Sequence, residues 1–127
     1  VKPAKQKVAP GPAPASPPGP RLVALIFSAS WCGYCPQAKV ALAQALEKHQ
    51  EAVFEVVDVE TKAGQKLASQ LEVQGLPTVY FFRSDDFDPK GKGSWASRLL
   101  GDVVPAAAKV GAQTVRVYAQ ILKEVLS

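Results

Sequence analysis

Cys32 and Cys35 are the only cysteines in the 127 residues, and they stand together in the segment SASWCGYCP, residues 28–36. Two thiols three positions apart in a first helical turn point to the same side and can close a disulfide. The pair sits where an apolar run gives way to a helical pattern. A helix N-terminus offers unpaired N–H groups and partial positive charge, both of which favour a thiolate. Cys32 is therefore the expected attacking thiolate, and Cys35 the thiol that resolves a mixed disulfide. Pro36 suits the position, because a first-turn N–H has no helical partner to lose. Two other uses of the pair stand beside this one. A structural disulfide across four residues closes little loop entropy. A zinc site needs four ligands, and the chain has two cysteines and a single histidine, His49. His49 lies at the far end of the same helix, where it reads as a cation meeting the helix dipole.

The surrounding pattern supplies the elements that would hold such a pair. LVALIF (22–27) is a continuous apolar run, as in a strand buried on both faces. Residues 36–49 read as a helix burying Ala38, Ala41, Leu42, Ala45 and Leu46. Residues 52–60, AVFEVVDVE, predict a second strand. Thr61 caps a short helix with Leu67, Ala68 and Leu71 inward. TVYFFR (78–83) is a third strand, and Trp95–Leu100 is read as a fourth. A last helix from about Ala112 shows Val115, Tyr118, Leu122 and Val125 at helical spacing. The order β-α-β-α-β-β-α predicts an α/β sheet covered by helices on both faces.

The strand LVALIFSAS, the motif Trp31-Cys32-Gly33-Tyr34-Cys35 and the later Leu76-Pro77-Thr78 resemble the thioredoxin superfamily over residues 22–127. The resemblance is to thioredoxin-like domains of the bacterial envelope type. It implies a thioredoxin-like fold, a central mixed sheet of about four strands flanked by helices. It implies a cis Pro77 beside the disulfide, and a Leu76 whose backbone pairs with an extended substrate segment. Trp31, Gly33, Tyr34, Leu76 and Pro77 become the expected substrate-binding residues, with Cys32 and Cys35 catalytic. The disulfide itself carries the electrons, so neither metal nor organic cofactor is expected.

Three departures from the family pattern stand out. The buried acid that thioredoxins carry six residues ahead of the first cysteine is Ile26 here. Its usual lysine partner is replaced by Val56 or a neighbour. Without that acid Cys35 lacks an internal proton acceptor, which predicts slow deprotonation. The N-terminal strand and helix of full thioredoxin are missing, which leaves residues 53–59 as a sheet edge displaying Val53, Val57 and Val59. Such edges invite pairing, by the tail near Val8 or by a partner. Finally, the loop 84–94 and the segment 101–111 are enlarged. Asp85, Asp86 and Asp88 lack the glycine and terminal glutamate of a calcium loop, so 84–94 reads as a solvated hairpin loop.

Charge narrows the function classes. The net charge of +4 comes from Lys2, Lys5, Lys7 and Arg21, while the rest of the chain is neutral. A nucleic-acid binder would keep its basic excess on the folded part. Seven of the 11 prolines fall in residues 1–20, so residues 1–21 read as a proline-rich disordered linker and 22–127 as the domain. The linker, the lack of methionine and the envelope resemblance together predict an extracytoplasmic, periplasmic setting with a possible membrane tether; a cytoplasmic one is the alternative. The expected activity is reduction of protein disulfides by a monomer drawing on an upstream thiol donor. The alternatives are a disulfide isomerase or oxidase of the same fold, or an interaction module whose redox activity is incidental.

Overall fold

A computed structural model describes residues 20–101 and 103–126; the proline-rich segment and the proposed tail contact near Val8 lie outside them. Among the described residues four strands form one sheet in the order β2-β1-β3-β4. These are β1 (Leu22–Ser28), β2 (Ala52–Asp58), β3 (Thr78–Arg83) and β4 (Ala107–Val110). β1 pairs parallel with β2 and antiparallel with β3, and β3 pairs antiparallel with β4. The helices are α1 (Cys35–Leu46), α2 (Lys62–Gln70), α3 (Trp95–Arg98) and α4 (Val115–Leu126).

Every residue of β1 is buried. A strand with neighbours on both sides and helices on both faces has no solvent side, which is why LVALIF shows no polar alternation. Leu22, Ala24 and Ile26 pack with Ala38, Leu42, Tyr118 and Leu122, the inner faces of α1 and α4. Val23, Leu25 and Phe27 pack on the other face with Leu67 and Phe87, and with the half-buried Leu71, Trp95 and Leu99. The sheet thus separates two apolar layers, one under each pair of helices.

The fourth strand is not where the sequence pattern puts it. Ser94 caps a short helix instead, its hydroxyl accepting the Ser97 amide at 3.2 Å. The carboxylate of Glu55, on β2, accepts the amides of Trp95 and Ala96 at 3.0 and 2.8 Å. Those bonds satisfy helix-end donors that a strand would have to pair elsewhere. Trp95 stacks edge-on against Phe87 at 5.3 Å, with the Arg98 guanidinium 4.0 Å over its ring. The actual fourth strand, Ala107–Val110, is short and mostly exposed, so it carries no apolar alternation to read.

The 84–94 loop is likewise more than a solvated hairpin. Phe87 is buried in the second layer, and the loop is stitched to α3 by Asp88 N to Arg98 O at 2.8 Å and Leu100 N to Asp86 O at 2.9 Å. β2 is an edge strand among the described residues, as expected. Val57, however, is buried, and Val53 and Val59 are half-buried against the second layer rather than displayed. His49 lies beyond α1, in the turn to β2, 3.8 Å from Glu51.

Candidate active site

The sheet brings its chemistry to one end. Parallel register sets Ser28 beside Asp58, and antiparallel register sets Phe27 beside Thr78. The segment leaving β1 toward Cys32, the turn leaving β2 and the chain entering β3 through Leu76 and Pro77 therefore meet at the same edge of the fold. Of the residues singled out from the sequence, Trp31, Cys32, Gly33, Tyr34 and Cys35 lie between β1 and the start of α1, and Leu76 and Pro77 on the chain entering β3.

Cys32 and Cys35 are joined in a disulfide, with Cα atoms 5.5 Å apart. Cys35 is the first residue of α1 and Pro36 follows within the first turn. Cys32 lies just ahead of the helix rather than inside it. Two successive turns carry the chain there, Cys32 N to Ala29 O at 3.1 Å and Cys35 N to Cys32 O at 3.4 Å. The two sulfurs thus meet across the helix start, at the end where the peptide dipoles favour negative charge. Cys32 keeps 8% of its surface and Cys35 only 1%. Around them Trp31 and Tyr34 are the conspicuous apolar surface, 70% and 67% exposed. Large apolar rings left in water beside a reactive bond are an unusual expense for a monomer surface and suit contact with another molecule.

The Leu76–Pro77 peptide is cis. Pro77 is buried and Leu76 half-buried. The Thr78 hydroxyl donates to Gly75 O, and Gly111 N donates to Pro77 O at 2.7 Å, so the bend is held also by the residue that follows β4. Ile26 is fully buried on the α1 face of β1, and Val56 is its direct partner on β2. The two positions where the family pattern has an acid and a lysine are thus neighbours, both filled by aliphatic side chains.

One contact at this end was not anticipated from the sequence. The Glu60 carboxylate accepts the Ser30 amide at 2.8 Å and the Ser30 hydroxyl at 3.1 Å. These bonds, led by the one from the amide, hold its pKa below the ordinary carboxylate value. No sequence pattern marks it: Glu60 reaches Ser30 only because β1 and β2 pair in parallel and end side by side. Among the described residues no group of three or more histidine, cysteine or acidic side chains is placed to hold a metal ion. No helix there is long and apolar enough to cross a membrane.

A buried, helix-start disulfide under an aromatic surface can accept and return two electrons, which is the equipment of a thiol–disulfide oxidoreductase. The chain belongs to the thioredoxin family, whose model matches residues 19–104. Horse thioredoxin is 34% identical over 87 residues, covering 65% of this chain and 81% of that protein. Pig thioredoxin is 42% identical over 65 residues, covering 51% of this chain and 60% of that protein. Mouse thioredoxin domain-containing protein 2 is 31% identical over 81 residues, which are 64% of this chain but 15% of that longer protein. Two of these three relatives are thus matched over less than two thirds of their own length. Among solved structures, oxidised thioredoxin O2 of Arabidopsis thaliana superposes with a TM-score of 0.59 at 20% identity, covering 81% of this chain and 74% of that one. Thioredoxin-2 of the malaria parasite superposes at 0.61 with 16% identity, covering 82% of each chain. At such identities the superpositions show the fold.

Proposed function

We propose that the chain is a thiol–disulfide oxidoreductase that reduces disulfides in other proteins. The observation that carries this reading is the Cys32–Cys35 disulfide at the start of α1, with Trp31 and Tyr34 exposed beside it. In the dithiol state Cys32, the less buried sulfur, attacks one sulfur of the target disulfide as a thiolate. A mixed disulfide forms and the target's other sulfur leaves as a thiolate, which takes up a proton. Cys35 then loses its proton and attacks Cys32, closing the protein disulfide and releasing the reduced target. Both electrons end on the target, and an upstream thiol donor restores the dithiol. Trp31, Gly33 and Tyr34 supply the contact surface, while Leu76 lends backbone groups to an extended target segment beside Pro77. The proline content of residues 1–20 supports a spacer, and the reading extends to an extracytoplasmic, tethered monomer as part of the same proposal.

The test is the redox equilibrium of the pair in glutathione buffers, followed by tryptophan fluorescence. A midpoint near about −270 mV, where thioredoxin itself lies, is expected for a reductase. A midpoint between about −120 and −180 mV would reassign the chain to disulfide formation or isomerisation. The absence of any reversible transition would leave an interaction module.

A further inference from the structure

We infer that Glu60 is a positioning residue for the cysteine pair, holding through Ser30 the turn that carries Trp31 and Cys32. The inference rests on the oxidoreductase reading above and assigns that site a control point outside its motif. Both oxygens of one carboxylate are spent on one residue: Oε1 accepts the Ser30 amide and Oε2 the Ser30 hydroxyl. Hydrogen bonds to an ionised carboxylate are roughly twice as strong as neutral ones. Yet Glu60 is exposed, and an exposed glutamate ordinarily loses rotamer freedom by staying in one place.

The β2–α2 turn offsets that cost by arranging Glu60 beforehand. The Glu60 amide donates to Asp58 Oδ1 at 2.8 Å. The Thr61 amide and hydroxyl both donate to Asp58 O, and the Thr61 hydroxyl in turn accepts the Gly64 amide at 2.9 Å. One step earlier, Val59 N donates to Ser28 O at 2.9 Å. The path from β1 to Cys32 is thus tied at three places: at Ser28 and Ser30 by the β2–α2 turn, and at Cys32 by its own turn to Ala29 O. Of these only the Ser30 tie is made by a side chain that can change charge.

Glu60 touches neither sulfur; it acts by fixing the Ser30 peptide, and so the direction from which the chain delivers Cys32. Its charged neighbours on the same turn are Asp58 and Lys62. The facing segment, residues 28–35, contains no lysine, arginine, histidine or acid, and Tyr34 is its only titratable side chain besides the cysteines. Because the folded-state pKa of Glu60 is lowered, the tie is fully present above the ordinary carboxylate value and is lost as the pH falls through the lowered one.

The experiment is the reduction of the oxidised full chain by a water-soluble phosphine, followed by tryptophan fluorescence. Phosphorus attacks one sulfur and the S–S bond breaks. Water then delivers oxygen to phosphorus, giving two thiols and the phosphine oxide. At neutral pH Glu60→Gln is expected to be reduced roughly three- to tenfold faster than the native chain, the change that follows from giving up a charge-assisted bond that restrains the loop. Taken as a ratio at each pH, so that the phosphine's own protonation cancels, the variant's advantage over the native chain falls toward one as the pH drops through the carboxylate range. Ser30→Ala, which keeps the amide bond and loses the hydroxyl bond, falls between them. Equal rates for Glu60→Gln and the native chain at neutral pH, or a rate ratio that stays constant as the pH falls through the carboxylate range, would overturn the inference. Since no protein substrate takes part, a chain inactive on protein disulfides would still show the rate difference, so the two readings fail separately.

Discussion

At the scale of single residues, the site divides its labour between two sulfurs of unequal access. Cys35 opens a helix and is closed to solvent, while Cys32 stands ahead of it with slightly more surface. Cys35→Ser is expected to stop the cycle at the mixed disulfide. The variant should accumulate as a covalent adduct with a disulfide-bearing target, detected as a mass increase that dithiothreitol removes. Absence of the adduct with Cys32 intact would reverse the two roles. Ile26 raises the question of how Cys35 loses its proton. The side chain lies fully buried under α1 beside an aliphatic Val56, so no carboxylate stands at that position. Ile26→Asp is expected to raise the single-turnover reduction rate near neutral pH by roughly a hundredfold or more if proton removal limits the step, the lower end of what general-base catalysis supplies elsewhere. The same change lowers stability, because a carboxyl replaces an alkyl group in a closed layer. Stopped-flow kinetics on the folded fraction separates the two effects, and an unchanged rate would show that proton transfer is not limiting.

At the scale of elements, short pieces are held by side chains borrowed from strands. Helix α3 has four residues, too few to be stable by its own hydrogen bonds. It exists because Glu55, inward on β2, meets its first two amides and because Trp95 lies against Phe87. Glu55→Ala removes both acceptors at once and is expected to cost about 1–3 kcal/mol, the range for stranded part-buried donors. Amide exchange at Trp95 and Ala96 should accelerate well beyond that of β1, and protection equal to the native chain's would show that Glu55 is not the anchor. The α2 start is built on a tighter constraint. A Cβ at Gly64 would stand 1.8 Å from Asp58 O, so the helix can approach the end of β2 this closely only with glycine there. That approach sets the β2–α2 turn from which Glu60 reaches Ser30.

At the scale of the whole molecule, α4 closes the layer that lies under α1. Tyr118 and Leu122 are fully buried against β1 and β3 residues. The Tyr118 hydroxyl accepts the Gln113 amide at 3.4 Å. Burial raises the Tyr118 pKa above its ordinary value, with the Gln113 bond opposing it, and burial together with the nearby Glu72 raises that of Tyr80. The unfolded chain therefore ionises first, so stability is fully present below about pH 10 and falls as the pH rises toward the raised values. Tyr118→Phe is expected to weaken this alkaline loss, while costing about 1 kcal/mol at neutral pH for the lost acceptor. Denaturant melts at neutral and alkaline pH test this, and an unchanged alkaline slope would assign the loss to Tyr80.

What the residues alone determined was whatever depends on local pattern. The apolar run 22–27, the helix behind Cys35 with Ala38, Leu42 and Leu46 inward, the Thr61 cap and the strand 78–83 are all found, because burial and capping leave their periodicity in the chain. The cysteine pair was legible for the same reason, since its chemistry depends on spacing and position at a helix start. What tertiary structure decided was whatever depends on residues distant in the chain. Trp95–Arg98 has strand-like composition and becomes a helix because a carboxylate some 40 positions earlier accepts its amides. Ala107–Val110 has little apolar pattern and becomes a strand because the edge of β3 offers it backbone partners. Ser30 and Glu60 are polar residues in separate loops until the parallel register of β1 and β2 brings their turns together. Hydrogen bonds between turns carry no periodicity, so that contact is decided only by the fold.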